Sequence, residues 1–259
     1  MLSLEQIKQY YPENLKGFER FMLREYLQYK ILEILFESDY SNRFAFIGGT
    51  ALRIVHGNNR FSEDLDFDNF NLSEEEFSKV AEVIKQGLQL EGYVVDFRTV
   101  AKAAYHCYIR FPKLLFDNKL SGHAEEKIFI RLDTEAQHYD FTPERILLNR
   151  FDVFTEIKVT PVDILLAQKF LTILERKQSK GRDFFDVVFL LGKDIRPNYD
   201  FLTQKASIKN FDQLKEAILN KTNTLEIKKI AEDVKPFLID QKNVKKVELF
   251  NEYLKQVEI

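Results

Sequence analysis

The sequence is poor in the residues that usually advertise a chemistry. It has one cysteine, Cys107, in 259 residues, so no intramolecular disulfide can form. A lone thiol fits a reducing cytoplasm, and with nothing nearby to activate it Cys107 reads as a buried, inert side chain. The four histidines (His56, His106, His123, His138) are scattered, with no HExxH and no CxxC, which removes the usual zinc patterns. No GxxxxGK[ST] string occurs, so this is not a Walker P-loop protein. No apolar run approaches the roughly 18 residues of a membrane helix. The first residues, Met-Leu-Ser-Leu-Glu-Gln, lack the basic and apolar regions of a secretory signal, which predicts a cytoplasmic protein without a membrane partner. Tryptophan is absent, whereas phenylalanine reaches 24 residues, a statement about the core. The formal charge is only −3, so any contact with nucleic acid has to be local.

What is present centres on Phe44 to Phe67, FAFIGGTALRIVHGNNRFSEDLDF. Phe44-Ala45-Phe46-Ile47 predicts a buried strand. Gly48 and Gly49 allow a turn and a close backbone approach to a ligand. Thr50 onward predicts a helix with Thr50 near its N-cap, where free N–H groups favour phosphate. A plain tight turn explains two glycines equally well. Farther on, Asp64 and Asp66 sit at i and i+2, so on a strand both carboxylates face one way while Leu65 and Phe67 face the other. Paired carboxylates repel unless a divalent cation neutralises them, and hard oxygen ligands suit Mg²⁺. The competing reading is an acidic edge strand in water. Arg53 and Arg60 flank the loop between helix and strand and are open to a triphosphate, an RNA backbone or solvent.

Elsewhere the pattern is more ordinary. Ser3 and Gln6 form a capping box, and a helical stretch follows from Pro12 to about Glu37. Ser73 with Glu76 opens a helix to about Leu90. Strands are predicted over 93–100, 104–111, 126–135, 145–149 and 153–159. Thr160-Pro161-Val162-Asp163 predicts a helix start with Thr160 as cap, running to about Lys177. That helix is apolar on most sides, and Lys169 lies within its apolar stripe. A lysine there is costly unless it snorkels or meets an anion. Helices over 211–220, 225–238 and 244–257 predict a small C-terminal bundle.

The GG…DxD arrangement resembles the nucleotidyltransferase superfamily related to DNA polymerase β. The fuller strings GGTALR and RFSEDLDF, with Lys180-Gly181-Arg182-Asp183-Phe184-Phe185-Asp186 later, resemble the AbiEii/AbiGii branch of type IV toxin–antitoxin and phage-defence (abortive-infection) systems. The resemblance covers about residues 40 to 190. It implies an α+β fold, with a polymerase β-like core over 1–159 and a helical domain over 160–259 that completes the active site. It implies a third carboxylate on a neighbouring strand, for which Asp133 is the match and Glu135 the fallback. It also implies a nucleotide-binding role for Gly48, Gly49, Thr50, Arg60, Lys169 and Arg182, and an active-centre role for Asp183, with Asp186 on the same helix face at i+3. The implied reaction moves NMP from an NTP to an acceptor hydroxyl, on a tRNA 3′ end or a protein, with Mg²⁺ or Mn²⁺ held by Asp64, Asp66 and Asp133. A cognate antitoxin is the implied partner. Self-modification of Thr50 is a further option. A small-molecule nucleotidyltransferase and a silent nucleotide- or RNA-binding module are the alternatives.

Overall fold

The structure, a computed structural model, describes residues 1–15, 17–101 and 104–258. The chain forms two compact units. The first comprises Met1–Ala51 and Phe61–Thr160, the second Leu52–Arg60 and Pro161–Ile259.

The first unit is built on a seven-stranded mixed sheet, ordered β3-β4-β5-β2-β1-β7-β6. Its strands are β1 (Phe44–Ile47), β2 (Leu65–Asn69), β3 (Asp96–Ala101), β4 (Tyr105–Phe111), β5 (Ile128–Glu135), β6 (Glu144–Arg150) and β7 (Val153–Val159). β2 runs parallel to β5 and antiparallel to β1, and β1 runs parallel to β7. The helices of this stretch are α1 (Leu4–Lys8), α2 (Glu19–Phe36), α3 (Gly48–Ile54), α4 (Glu74–Leu90) and α5 (Leu114–Asp117), and the division between units falls within α3.

Alternation decides which face of the sheet is core. Ile128, Ile130 and Leu132 of β5 are buried, as are Leu65 and Phe67 of β2 and Cys107, Ile109 and Phe111 of β4. Helices α2 and α4 pack against the sheet, with the Phe36 ring 6.3 Å from that of Phe67 and the Phe77 ring 5.2 Å from that of Tyr105. The inward side of α4 is a regular stripe, Phe77, Val80, Ala81, Ile84 and Leu88, each larger member contributing about 1.5–3 kcal/mol on burial. The Ser73/Glu76 capping box forms as the sequence predicts, and so does that of Ser3 and Gln6. Burial pushes the Cys107 thiol up to about 12, so it is inert.

Several local expectations give way. The predicted helix from Pro12 divides into a short 3₁₀ turn, Glu13–Leu15, and α2, because Gly17 adopts φ +111° between them. Thr160 does not cap the next helix: its Oγ1 is buried without a hydrogen-bond partner among the described residues, its N–H extends the sheet by donating to the Phe46 carbonyl at 3.1 Å, and the helix begins at Val162 after Pro161.

The second unit is helical: α6 (Val162–Glu175), α7 (Gly181–Leu191), α8 (Tyr199–Ala206), α9 (Phe211–Thr222), α10 (Ile227–Val234), α11 (Lys245–Glu248) and α12 (Phe250–Gln256). The helix predicted over 244–257 is broken at Leu249, between α11 and α12. The segment 52–60, the end of α3 and the loop after it, belongs to this unit through an antiparallel bridge between Arg60 and Leu238.

Candidate active site

Strand register places the acids. Asp66 of β2 is the direct partner of Asp133 on β5, and Asp133 is the partner of His106 on β4. Neighbouring strands lie about 4.8 Å apart, and partnered residues share a face, so Asp66, Asp133 and His106 form one row. Asp64 stands two residues before Asp66 on the same side, in the row that Arg131 and Tyr108 continue. Glu135 is displaced by one row: its partner is Asp68. Register therefore puts Asp133, not Glu135, beside Asp66.

The acids are closely matched by cations. Arg131 Nη2 lies 3.1 Å from Asp64 Oδ2, and Arg131 Nε lies 2.7 Å from Asp133 Oδ2, an ion pair without hydrogen-bond alignment. His106 Nδ1 is 2.7 Å from Asp133 Oδ1. Burial acts to lower the Arg131 pKa, but Asp64, Asp133 and Asp66 outweigh it and raise the value, so the guanidinium stays charged. A cavity of about 210 Å³ opens over Ile47, Asp66, His106, Asp133, Glu135 and Gln137.

Gly48 explains the double glycine. Its φ is +78°, and a Cβ built there would overlap the Asp66 carboxylate. The backbone of the turn therefore lies directly against an acid, and only glycine permits it. Thr50 is fully buried, and its Oγ1 donates to the Asp64 carbonyl in a short hydrogen bond. That hydroxyl pins α3 to the entry of β2 and is not presented to a nucleotide or to self-modification.

Among the described residues no three His, Cys, Asp or Glu side chains stand in metal-holding geometry. The donors on this face are of the chemical type a hard divalent cation takes: three carboxylates share it, two of them in register, and the Gly48 backbone leaves no side chain over Asp66.

The later motif is in the second unit, where its charges are spent on one another. Asp186 is fully buried and accepts from Arg60 Nε and Nη2, both at 2.7 Å, and from Asn58 Nδ2 at 2.7 Å. Lys169 Nζ stands 2.8 Å from Asp186 Oδ2 and 3.3 Å from Asp183 Oδ1, and Arg176 Nη1 donates to Asp183 at 2.6 Å. Burial opposes the charge on Asp186, yet Arg60 and Lys169 prevail and hold its pKa below the usual carboxylate range. Burial likewise disfavours the Lys169 ammonium, but Asp186 and Asp183 raise its pKa above the ordinary value. The anion that the apolar stripe of α6 demands is thus supplied by α7. Arg60, expected at a triphosphate, is 1% exposed and holds Asp186 in a two-point grip instead. Arg182 is half-buried, 6.0 Å over the Phe237 ring. A Cβ on Gly181 would strike the Ile230 carbonyl and Asp233, so this glycine lets α7 and α10 approach. Its N–H donates to Asp233 at 2.8 Å.

Sequence reasoning missed His106 and the bridging role of Arg131. The signal existed: alternation in 105–111 sets His106 and Tyr108 opposite the buried Cys107 and Ile109, but the register that brings them beside Asp133 and Arg131 is a long-range property.

A mixed α+β sheet with this acidic face and a helical second unit defines the nucleotidyltransferase fold. It is shared with JHP933 from Helicobacter pylori, 16% identical, covering 92% of this chain and 94% of that one at a TM-score of 0.53. It is shared also with a provisionally assigned nucleotidyltransferase from H. pylori, 17% identical, covering 92% and 97% at a TM-score of 0.55. At such identities the likeness concerns the fold. No curated protein matches the chain. Residues 30–256 match the family described as nucleotidyl transferase AbiEii toxin, type IV TA system. The chain therefore belongs to the AbiEii family of nucleotidyltransferase toxins. No helix among the described residues is long and apolar enough to cross a membrane.

Proposed function

We propose that the chain transfers a nucleoside monophosphate from an NTP to an acceptor hydroxyl, as the toxin of a type IV pair whose antitoxin is its partner. The observation that carries this reading is the register of Asp66 with Asp133 under the bare backbone of Gly48. A divalent cation such as Mg²⁺ or Mn²⁺, held by Asp64, Asp66 and Asp133, would supply charge to the phosphate oxygens and acidify the acceptor hydroxyl. The acceptor oxygen bonds to the α-phosphorus as the bond to the β-phosphate oxygen breaks and pyrophosphate leaves. Gly48 and Gly49 offer backbone N–H groups to the outer phosphates. Arg131 keeps Asp64 and Asp133 oriented between turnovers, and His106 fixes the Asp133 carboxylate from the other side. Arg182, which has no carboxylate at ion-pair distance among the described residues, is the cation that the family pattern offers to a phosphate. Lys169, Asp183 and Asp186 contribute by holding α6, α7 and the 52–60 segment together. The chain's part is mostly position and charge.

Label transfer tests this. The protein is incubated with each α-³²P NTP, Mg²⁺ and total tRNA, beside Asp66→Ala. Label on tRNA, lost in the variant, names the nucleotide and the acceptor; label on protein moves the acceptor to a side-chain hydroxyl. Folded protein that labels neither overturns the reading in favour of a small-molecule acceptor or a silent module.

A further inference from the structure

The acidic face of the sheet does not end at the acids. Beyond Asp64 and Arg131 the same row continues to Tyr108 on β4 and Arg98 on β3. In the next row Phe129 partners Arg110, so Phe129, Tyr108, Arg98 and Arg110 share the face that carries Asp64, Asp66 and Asp133. The Tyr108 and Phe129 rings are stacked, 5.9 Å apart and inclined by 17°. Phe129 remains 37% exposed although each of its immediate neighbours on β5 is fully or largely buried. Arg98 is exposed and Arg110 half-buried, and among the described residues neither has an ion-pair or hydrogen-bond partner. Asp96, the strand partner of Arg110, is already committed to Lys127 at 3.0 Å. On a chain of net charge −3, Arg98 and Arg110 set two uncompensated guanidinium groups beside a flat aromatic pair.

We propose that Tyr108 and Phe129, with Arg98 and Arg110, form a stacking platform for a single-stranded nucleic acid that presents its terminal hydroxyl to the neighbouring carboxylates. Aromatic faces take bases of any sequence, and guanidinium groups alongside take the phosphates between them. The platform spans β5, β4 and β3, about 10 Å across at normal strand spacing, and runs away from the carboxylates. One nucleoside triphosphate anchored at Gly48 has no use for cations on β3, whereas a strand entering from that side does. This assignment rests on the transferase reading for its purpose, but its binding surface is tested without turnover.

The test is fluorescence anisotropy of the full-length protein with labelled ten-nucleotide RNA and DNA strands, without NTP. Tyr108→Ala and Phe129→Ala are expected to weaken binding about 5- to 150-fold, the range found for loss of one base–aromatic stack. Tyr108→Phe retains binding, because the ring face is unchanged. Arg98→Ala with Arg110→Ala makes the slope of log affinity against log salt shallower by about 0.7 for each phosphate no longer neutralised. Phe154→Ala removes an exposed ring elsewhere on the sheet and leaves binding as it was. Preference between the RNA and DNA strands names the polymer. Wild-type affinity in both alanine variants overturns the platform, as does a loss confined to labelled NTP binding, which would give the rings to the incoming base. Strand binding that depends on Tyr108 in a protein that labels no acceptor keeps the platform and rejects the transfer reading. Label transfer to a side-chain hydroxyl by a protein that binds neither strand does the reverse.

Discussion

The two acid-rich regions of this molecule use the same residue types under opposite conditions. On the sheet, Asp64 and Asp133 keep about a fifth of their side-chain surface in solvent, 22% and 20%, and Asp133 borders an open cavity together with Asp66. In the helical unit Asp186 has none, its partner Arg60 keeps 1%, and Lys169 keeps 13%. Acids left partly wet can exchange a cationic partner for a ligand at modest cost. Acids sealed with their cations cannot, because any exchange strands a charge away from water. Exposure, rather than residue type or motif membership, is what distinguishes the two clusters.

The comparison breaks most visibly in activity. Asp66→Asn is expected to lower label transfer by about 10²–10³-fold or more while leaving the unfolding transition in place. Asp186→Ala should do the opposite first: it leaves Arg60 and Lys169 buried without their shared anion, at a cost of about 3–5 kcal/mol in chemical denaturation. If Asp186→Ala unfolds at the wild-type denaturant concentration, the architectural reading of the cluster fails.

pH sharpens the same contrast. The folded-state pKa of Asp186 lies below its ordinary 3.8, so its contribution to stability is present above that value and lost as pH falls through the depressed pKa. Lys169 lies above its ordinary 10.5, so its contribution is present below that value and lost as pH rises through the raised pKa. Thermal melts should therefore hold a plateau between these limits and fall at both ends. Asp186→Asn flattens the acid limb, and Lys169→Met the alkaline one. The smallest effect belongs to Arg176→Ala. Arg176 is 39% exposed and its partner Asp183 keeps Lys169, so the loss should stay within about 1 kcal/mol in the same denaturation experiment.

Local patterns in the sequence were readable where one element suffices. The β1 strand, the capped α4 helix, and the two-faced alternation of 128–135 all follow from spacing alone, and so does the shared side of Asp64 and Asp66. The family strings supplied the fold and a third carboxylate with Asp133 as the match and Glu135 as the fallback; it is the β2–β5 register that sets Asp133 beside Asp66. What was illegible depends on distant partners. The cost of Lys169 in an apolar stripe was visible, but its anion lies on another helix, and the Arg60–Asp186 pair is separated by 126 residues. Thr160 has the chemistry of a helix cap, yet its backbone continues the sheet through an N–H to the Phe46 carbonyl, and the helix starts two residues later with the Thr160 hydroxyl unused, an outcome that no local pattern records.

The segment from Leu52 to Arg60 has a consequence for the order in which the protein is made. Domains form largely as their chain leaves the ribosome, N-terminal portions first. Asn58 and Arg60 are translated with the sheet, yet the carboxylate that receives them both, Asp186, follows more than 120 residues later. A nascent chain can assemble its strands and bring Asp66 beside Asp133 while the segment next to them in sequence still waits in water for its partner. Completion of the molecule is thus written into its connectivity: a chain interrupted before α7 holds the acids but leaves this segment unfinished.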